Sequence, residues 1–136
     1  TGSRVTEVCM NAMGRDAQAN TDNASILLKY ENGSNAVINY FSNGSKTYSK
    51  ERIEVHQQNS TLVLDNWRKL TGFGVRGFKS KRSRQDKGHF NQFKQLLESV
   101  ERASGPTIPL EEVLNTSKAT LGAVDSLIEG KWISIK

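Results

Sequence analysis

Eight basic side chains lie between Trp67 and Lys87: Arg68, Lys69, Arg76, Lys79, Lys81, Arg82, Arg84 and Lys87. One acid, Asp86, lies among them, so this stretch carries +7 while the whole chain carries +5. Guanidinium groups bind carboxylate and phosphate through paired hydrogen bonds. Arg76, Lys81, Arg82 and Arg84 are therefore candidates to hold an anionic group of a small substrate, and His89 lies just beyond them. The same charge could bind nucleic-acid phosphates, although no recognised nucleic-acid module surrounds it. A solvated basic loop is the simplest alternative.

Other chemistries are weaker. Gly72-Phe73-Gly74-Val75-Arg76-Gly77 matches G-x-G-x-x-G, but that fingerprint works only between a strand and a helix whose N-terminus holds a pyrophosphate. The following residues, 78–84, show no helical apolar stripe, so a glycine-rich strand end or loop is expected and no cofactor-binding residue is assigned. Asp86-x-x-His89 has acid and base in reach of one another, yet at a helix start capping explains both. Two histidines and one cysteine do not make a structural zinc set. Neither a nucleophile elbow nor a P-loop occurs. The sequence thus assigns no catalytic residue and no metal ligand.

The elements that would position the basic cluster are strands first and helices last. Segments 4–12, 24–31, 35–42, 51–58, 61–65 and 67–73 read as strands. Asn32-Gly33 marks a hairpin, with a type I′ turn expected. In 51–58, Ile53 and Val55 take one face while Arg52, Glu54 and His56 take the other, which predicts one buried and one polar or partner-facing side. A helix is expected over about 87–103, capped by Asp86, with Phe90, Phe93, Leu97 and Val100 as its stripe. A second starts near Pro109 at its first position, carries Glu111 and Glu112 in its first turn, and ends at Gly130. Val113, Leu121, Val124, Leu127 and Ile128 supply its stripe. The small, polar middle of this helix, 115–120, is either solvated or packed closely on another element. Residues 132–135 form a short extended end.

This order predicts an α+β fold: an open, largely antiparallel mixed sheet, then two helices packed on one face and a short C-terminal strand. The length of 136 residues fits a single domain. Cys9 is the one cysteine, so no internal disulfide forms, and a free thiol fits a reducing compartment. The chain reads as cytoplasmic: no apolar run approaches a membrane span and no leader resembles a signal peptide. Tyr30, Tyr40, Phe41 and Trp67 are candidates for an exposed sheet face that joins two copies in a homo-oligomer.

Several segments resemble one enzyme family. Asp86-Lys87-Gly88-His89 with Phe90-Asn91-Gln92-Phe93 resembles the start of a late helix in the glucose–fructose oxidoreductase / inositol dehydrogenase / MocA family. Pro106-Thr107-Ile108-Pro109 with Glu111-Glu112 is similar to its joint between helices. Ala119-Thr120, the run 123–127 and Gly130-Lys131 are similar to its closing helix and final strand. Glu54-Val55 and the run 61–66 resemble strands of its central sheet. The resemblance implies a C-terminal substrate-binding and dimerisation domain over residues 1–136, of dihydrodipicolinate-reductase-like C-terminal fold. It implies an N-terminal Rossmann domain, outside these residues, that binds NAD or NADP and is this domain's partner. The implied reaction is hydride transfer at a hydroxyl-bearing carbon of a sugar, polyol or related compound. The family's catalytic Glu-Lys-Pro and D-x-x-x-H motifs do not occur here, so these residues alone are expected to be inactive and to bind no cofactor.

Overall fold

The computed structural model describes residues 2–136. It contains β1 (Val5–Ala12), β2 (Asn23–Tyr30), β3 (Asn35–Phe41), β4 (Arg52–Gln57), β5 (Ser60–Asp65), β6 (Lys69–Phe73), β7 (Ser80–Arg82), α1 (His89–Glu101), α2 (Leu110–Glu129) and β8 (Ile133–Ser134). The α+β class and the element order agree with the sequence reading. The single sheet does not: two four-stranded sheets form, in the orders β3-β2-β1-β8 and β4-β5-β6-β7. Every strand pair among the described residues is antiparallel. The break falls in 42–51, a run of turns that holds Asn43, Gly44 and three serines and has no strand of its own.

The chain divides into two compact units, Gly44–Gly105 and the remainder on either side of it. In the flanking unit, α2 covers the sheet through a stripe of small residues. Asn115, Ala119, Gly122, Ala123 and Ser126 are its buried positions. Val8, fully buried, lies beneath Gly122: a Cβ on that glycine would come 3.2 Å from Val8 Cγ1 and 2.7 Å from Ile135 Cδ1. Two polar side chains fasten the helix to β1. Val5 N–H donates to Asn115 Oδ1 at 2.8 Å, and Asn115 Nδ2 donates back to Val5 C=O at 3.0 Å. Those backbone groups sit where β1 shifts register against β2. Met10 N–H donates to Ser126 Oγ at 3.0 Å, and Ser126 in turn donates to Lys131 C=O at 2.6 Å. The small middle of α2 is thus explained by close packing, since buried backbone groups need partners and only short side chains let the helix come this near.

This corrects the expected stripe of α2. Leu121 and Ile128 are 68% and 70% exposed, and Val113 is exposed too, while Val124 and Leu127 are half-buried. Both stripes have helical spacing, and the distance of approach selected the small one. Pro109 is the residue before the helix and not its first member, because its ψ of 139° is extended. Glu111 and Glu112 do occupy the first turn, and Gly130 ends the helix.

In the Gly44–Gly105 unit the strands follow one another in a meander. The two residues between β4 and β5, Gln58 and Asn59, both have positive φ (46° and 62°), as a type I′ turn requires. At Asn32-Gly33 only Gly33 is left-handed (φ 81°), and Tyr30 N–H donates to Ser34 C=O. That hairpin therefore has a three-residue loop closed by a left-handed glycine, not the expected two-residue turn. The helix α1 starts at His89 and has no buried residue, so Phe90, Phe93, Leu97 and Val100 form a stripe that is exposed. Asp86 is not the cap: its Oδ1 accepts the Gly88 N–H at 2.8 Å, closing a turn just before the helix, and Gly88 takes the cap position.

Candidate functional site

The polar side of the β4–β7 sheet follows from its register. Cross-strand partners share a face, so Arg52, Asp65, Lys69 and Arg82 form one row across all four strands. The next row on that side is Glu54, Val63, Thr71 and Ser80, and then comes His56 opposite Thr61. The opposite side carries Ile53, Val55, Leu62, Leu64, Leu70 and Gly72. The alternation read in 51–58 is therefore real. Ile53 and Val55 are nonetheless exposed, so the apolar side is not buried at this edge.

A small network spans β4 and β5. Arg52 Nη2 lies 2.6 Å from Glu54 Oε1, and His56 Nε2 lies 3.6 Å from Glu54 Oε2. His56 Nδ1 is 3.1 Å from Thr61 Oγ1. The hydrogen bond and charge of Arg52, with His56 adding less, hold the Glu54 carboxyl below its usual range, and Glu54 raises Arg52 in return. In the same row Asp65 accepts a hydrogen bond from Ser49. Nearby, Glu51 Oε1 meets Lys87 Nζ at 2.7 Å, and that hydrogen bond lowers the Glu51 pKa.

Lys69 and Arg82 stand directly opposite one another on β6 and β7. Like charges so placed repel, Asp65 stands opposite Lys69 on its other side, and neither Lys69 nor Arg82 makes an ion pair among the described residues. An anion between them would remove that repulsion.

The structure disperses the five candidates from the sequence. Arg82 belongs to the polar row. Lys81, its neighbour on β7, points to the other face opposite Leu70. Arg76 lies in the β6–β7 connection, Arg84 follows β7, and His89 opens α1. All five are exposed, and none makes an ion pair among the described residues. Sequence reasoning missed Lys69 as the partner of Arg82. Residues 78–84 give no strand signal, so the register that joins the two was invisible.

The glycine motif ends a strand and leads into β7, another strand. Two of its glycines, Gly72 and Gly74, serve packing. A Cβ on Gly74 (φ 68°) would lie 2.5 Å from Asn59 C=O oxygen, and one on Gly72 would lie 2.8 Å from Phe78 Cδ1. The residues present therefore do not fit a nicotinamide dinucleotide at this motif, which needs a helix N-terminus after the last glycine. Among the described residues no group of three His, Cys, Asp or Glu is placed to hold a metal ion. No helix among them is long and apolar enough to cross a membrane.

The four aromatics expected on one sheet face are also dispersed. Tyr30 and Tyr40 pair with Val5 and Ala24, on the side that carries α2. Phe41 neighbours Tyr40 on β3 and points to the other side. Trp67 sits in the β5–β6 turn at φ 56°, not in a strand.

No model of a protein family and no curated protein matches the chain. Solved structures do. An NAD binding oxidoreductase from Klebsiella pneumoniae superimposes with a TM-score of 0.72 at 17% identity, over 98% of this chain and 46% of its own. An oxidoreductase domain protein from Kribbella flavida gives 0.73 at 16% identity, over 100% of this chain and 47% of its own. The chain thus spans less than half the length of either. It has the α+β fold found in part of these two oxidoreductases, as its resemblance to the glucose–fructose oxidoreductase / inositol dehydrogenase / MocA family led us to expect.

Proposed function

We propose that this chain is the C-terminal, substrate-side domain of an NAD(P)-dependent oxidoreductase that acts on a hydroxyl-bearing carbon of a sugar, polyol or related compound. The fold shared with two oxidoreductases over nearly all of this chain, and less than half of theirs, carries the reading. The exposed stripes Phe90, Phe93, Leu97, Val100 on α1 and Leu121, Ile128 on α2 support it, because an apolar helix face is stable in water only when something covers it. A cofactor-binding domain elsewhere in the parent protein would be that cover, and the nicotinamide would perform the hydride chemistry there. The present residues would bind and orient substrate. Lys69 and Arg82 would grip a carboxylate or phosphate on it.

The nucleic-acid reading of the basic cluster has less support, since Lys81 and Arg82 leave β7 on opposite faces and do not form one surface. The complete gene product should reduce NAD or NADP, followed at 340 nm, with one member of a panel of neutral, phosphorylated and carboxylated sugars and polyols. Turnover of neutral members alone would remove the anion role of Lys69 and Arg82. No turnover and no nicotinamide binding, with tight DNA binding that falls steeply with salt, would replace the reading with the nucleic-acid one.

A further inference from the structure

The tripeptide Asn-Gly-Ser occurs twice in this chain, at 32–34 and at 43–45. An asparagine followed by glycine is open to a reaction that needs no enzyme. Glycine has no side chain to shield its backbone nitrogen, so that nitrogen reaches the carbonyl carbon of the asparagine side chain. The local chemistry is the same at both sites, and Asn32, Gly33, Asn43 and Gly44 are all exposed. Hydrogen bonding is what separates them.

At Asn32 both reacting groups are held. Gly33 N–H donates to Tyr30 C=O at 3.0 Å, so the attacking nitrogen is tied into the hairpin loop. Asn32 Oδ1 accepts the Ser34 N–H at 3.0 Å, which fixes the side chain. Asn32 N–H also donates to Ser3 Oγ at 3.1 Å. At Asn43 the side chain is held by one bond, from Nδ2 to Met13 Sδ at 3.4 Å, and a thioether is a weak acceptor. Asn43 N–H donates to Asn23 Oδ1 at 3.2 Å, but that nitrogen takes no part in the reaction. Gly44 N–H, which does take part, makes no hydrogen bond among the described residues.

We propose that Asn43 is a site of spontaneous deamidation and that the fold protects Asn32 from it. The Gly44 amide nitrogen loses its proton to a solvent base and bonds to Asn43 Cγ. The Cγ–Nδ2 bond breaks, and Nδ2 takes a proton from water and leaves as ammonia. The product is a five-membered succinimide ring. Water then opens the ring at either carbonyl. Breaking the bond between Gly44 N and Cγ leaves aspartate; breaking the bond between Gly44 N and the Asn43 backbone carbonyl carbon leaves isoaspartate. Water is the one reagent consumed. Either product adds a negative charge, and isoaspartate lengthens the main chain by one methylene at the bond that joins the two compact units. This inference does not depend on the oxidoreductase reading.

Ageing the 136-residue chain in warm, mildly alkaline buffer, followed by tryptic digestion and mass spectrometry, tests it. Residues 30–46 form one tryptic peptide that holds both sites, and its fragment ions report each asparagine separately. In the folded chain Asn43 should react about tenfold faster than Asn32 or more, because two ordinary hydrogen bonds must first open at Asn32. In concentrated urea the two rates should converge, since the shared tripeptide alone then acts. Asn43→Gln requires a less favourable six-membered ring. It should remove most of the isoaspartate, counted by methyl transfer from an isoaspartate-specific carboxyl methyltransferase, with far-UV circular dichroism unchanged. Equal rates in the folded chain, or a faster reaction at Asn32, overturn the proposal. So does undiminished methyl transfer in Asn43→Gln, or a rate difference that persists unchanged in urea.

Discussion

Replacing Asn115 by alanine tests how α2 is held to its sheet. One amide makes both hydrogen bonds to Val5, at 2.8 and 3.0 Å, and the residues are 6% and 8% exposed. Alanine would strand a buried N–H and a buried C=O together. Each such group costs about 1–3 kcal/mol, and with partial relaxation the loss should be about 3 kcal/mol. The better helix propensity of alanine offsets less than about 0.7 kcal/mol of this. For a unit of this size the melting midpoint should fall by about 12–24 °C. Asn115→Asp keeps the acceptor for Val5 N–H but turns a carboxylate oxygen toward Val5 C=O, so at neutral pH it should be about as damaging as alanine. Urea unfolding of a Trp67→Phe background reads this directly, because Trp132 is then the one remaining tryptophan and lies under Lys29, 4.2 Å from its ring centre, in the same unit. Ser117→Ala is the control: that hydroxyl only bonds within its own helix, and the change should stay within about 0.5 kcal/mol. A loss below about 1 kcal/mol for Asn115→Ala, or wild-type stability for Asn115→Asp, would refute the reasoning.

Gly122→Val should destabilise the same unit by about 2–3 kcal/mol in the same unfolding assay, because Val8 beneath it has no room to move. Gly122→Ala should cost less, as Ile135 Cδ1 is the end of a side chain that can swing away and alanine favours the helix. The Gln58-Asn59 turn should gain about 1 kcal/mol when changed to Asn-Gly, since non-glycine residues there hold positive φ; thermal unfolding followed by Trp67 would show it. Glu54 lies below its unfolded value of 4.5, so its contribution is present above that pH and is lost as pH falls through the lower folded value. Glu54→Gln should flatten the acid limb of a stability–pH curve in this window, by a small amount because the pair is exposed.

Much of the fold is legible in the sequence, and the misreadings have physical causes. The six long strands and both helices follow from period and punctuation. For α2, hydropathy pointed to Leu121 and Ile128, yet the helix packs through Asn115, Ala119, Gly122 and Ser126. Two stripes with the same spacing share this helix, and contact distance, which hydropathy does not encode, decides between them. The polar face of β4 was visible as Arg52, Glu54 and His56. The pairing of Lys69 with Arg82 was not, because it depends on the length of the connection between β6 and β7. The glycine run was read correctly as a strand end from its surroundings, since nothing helical follows it. The basic cluster was read as one feature because sequence proximity hides the alternation that β7 imposes.

The proposed function divides the labour: nicotinamide chemistry would reside elsewhere in a parent protein, and these residues would hold substrate. Titration of NADH and NADPH, followed by nicotinamide fluorescence, against the 136-residue chain and against the complete gene product tests it most directly. Saturable binding to the complete product and none to the chain alone is the expected result. Saturable binding to the isolated chain, or none to the complete product, would contradict it.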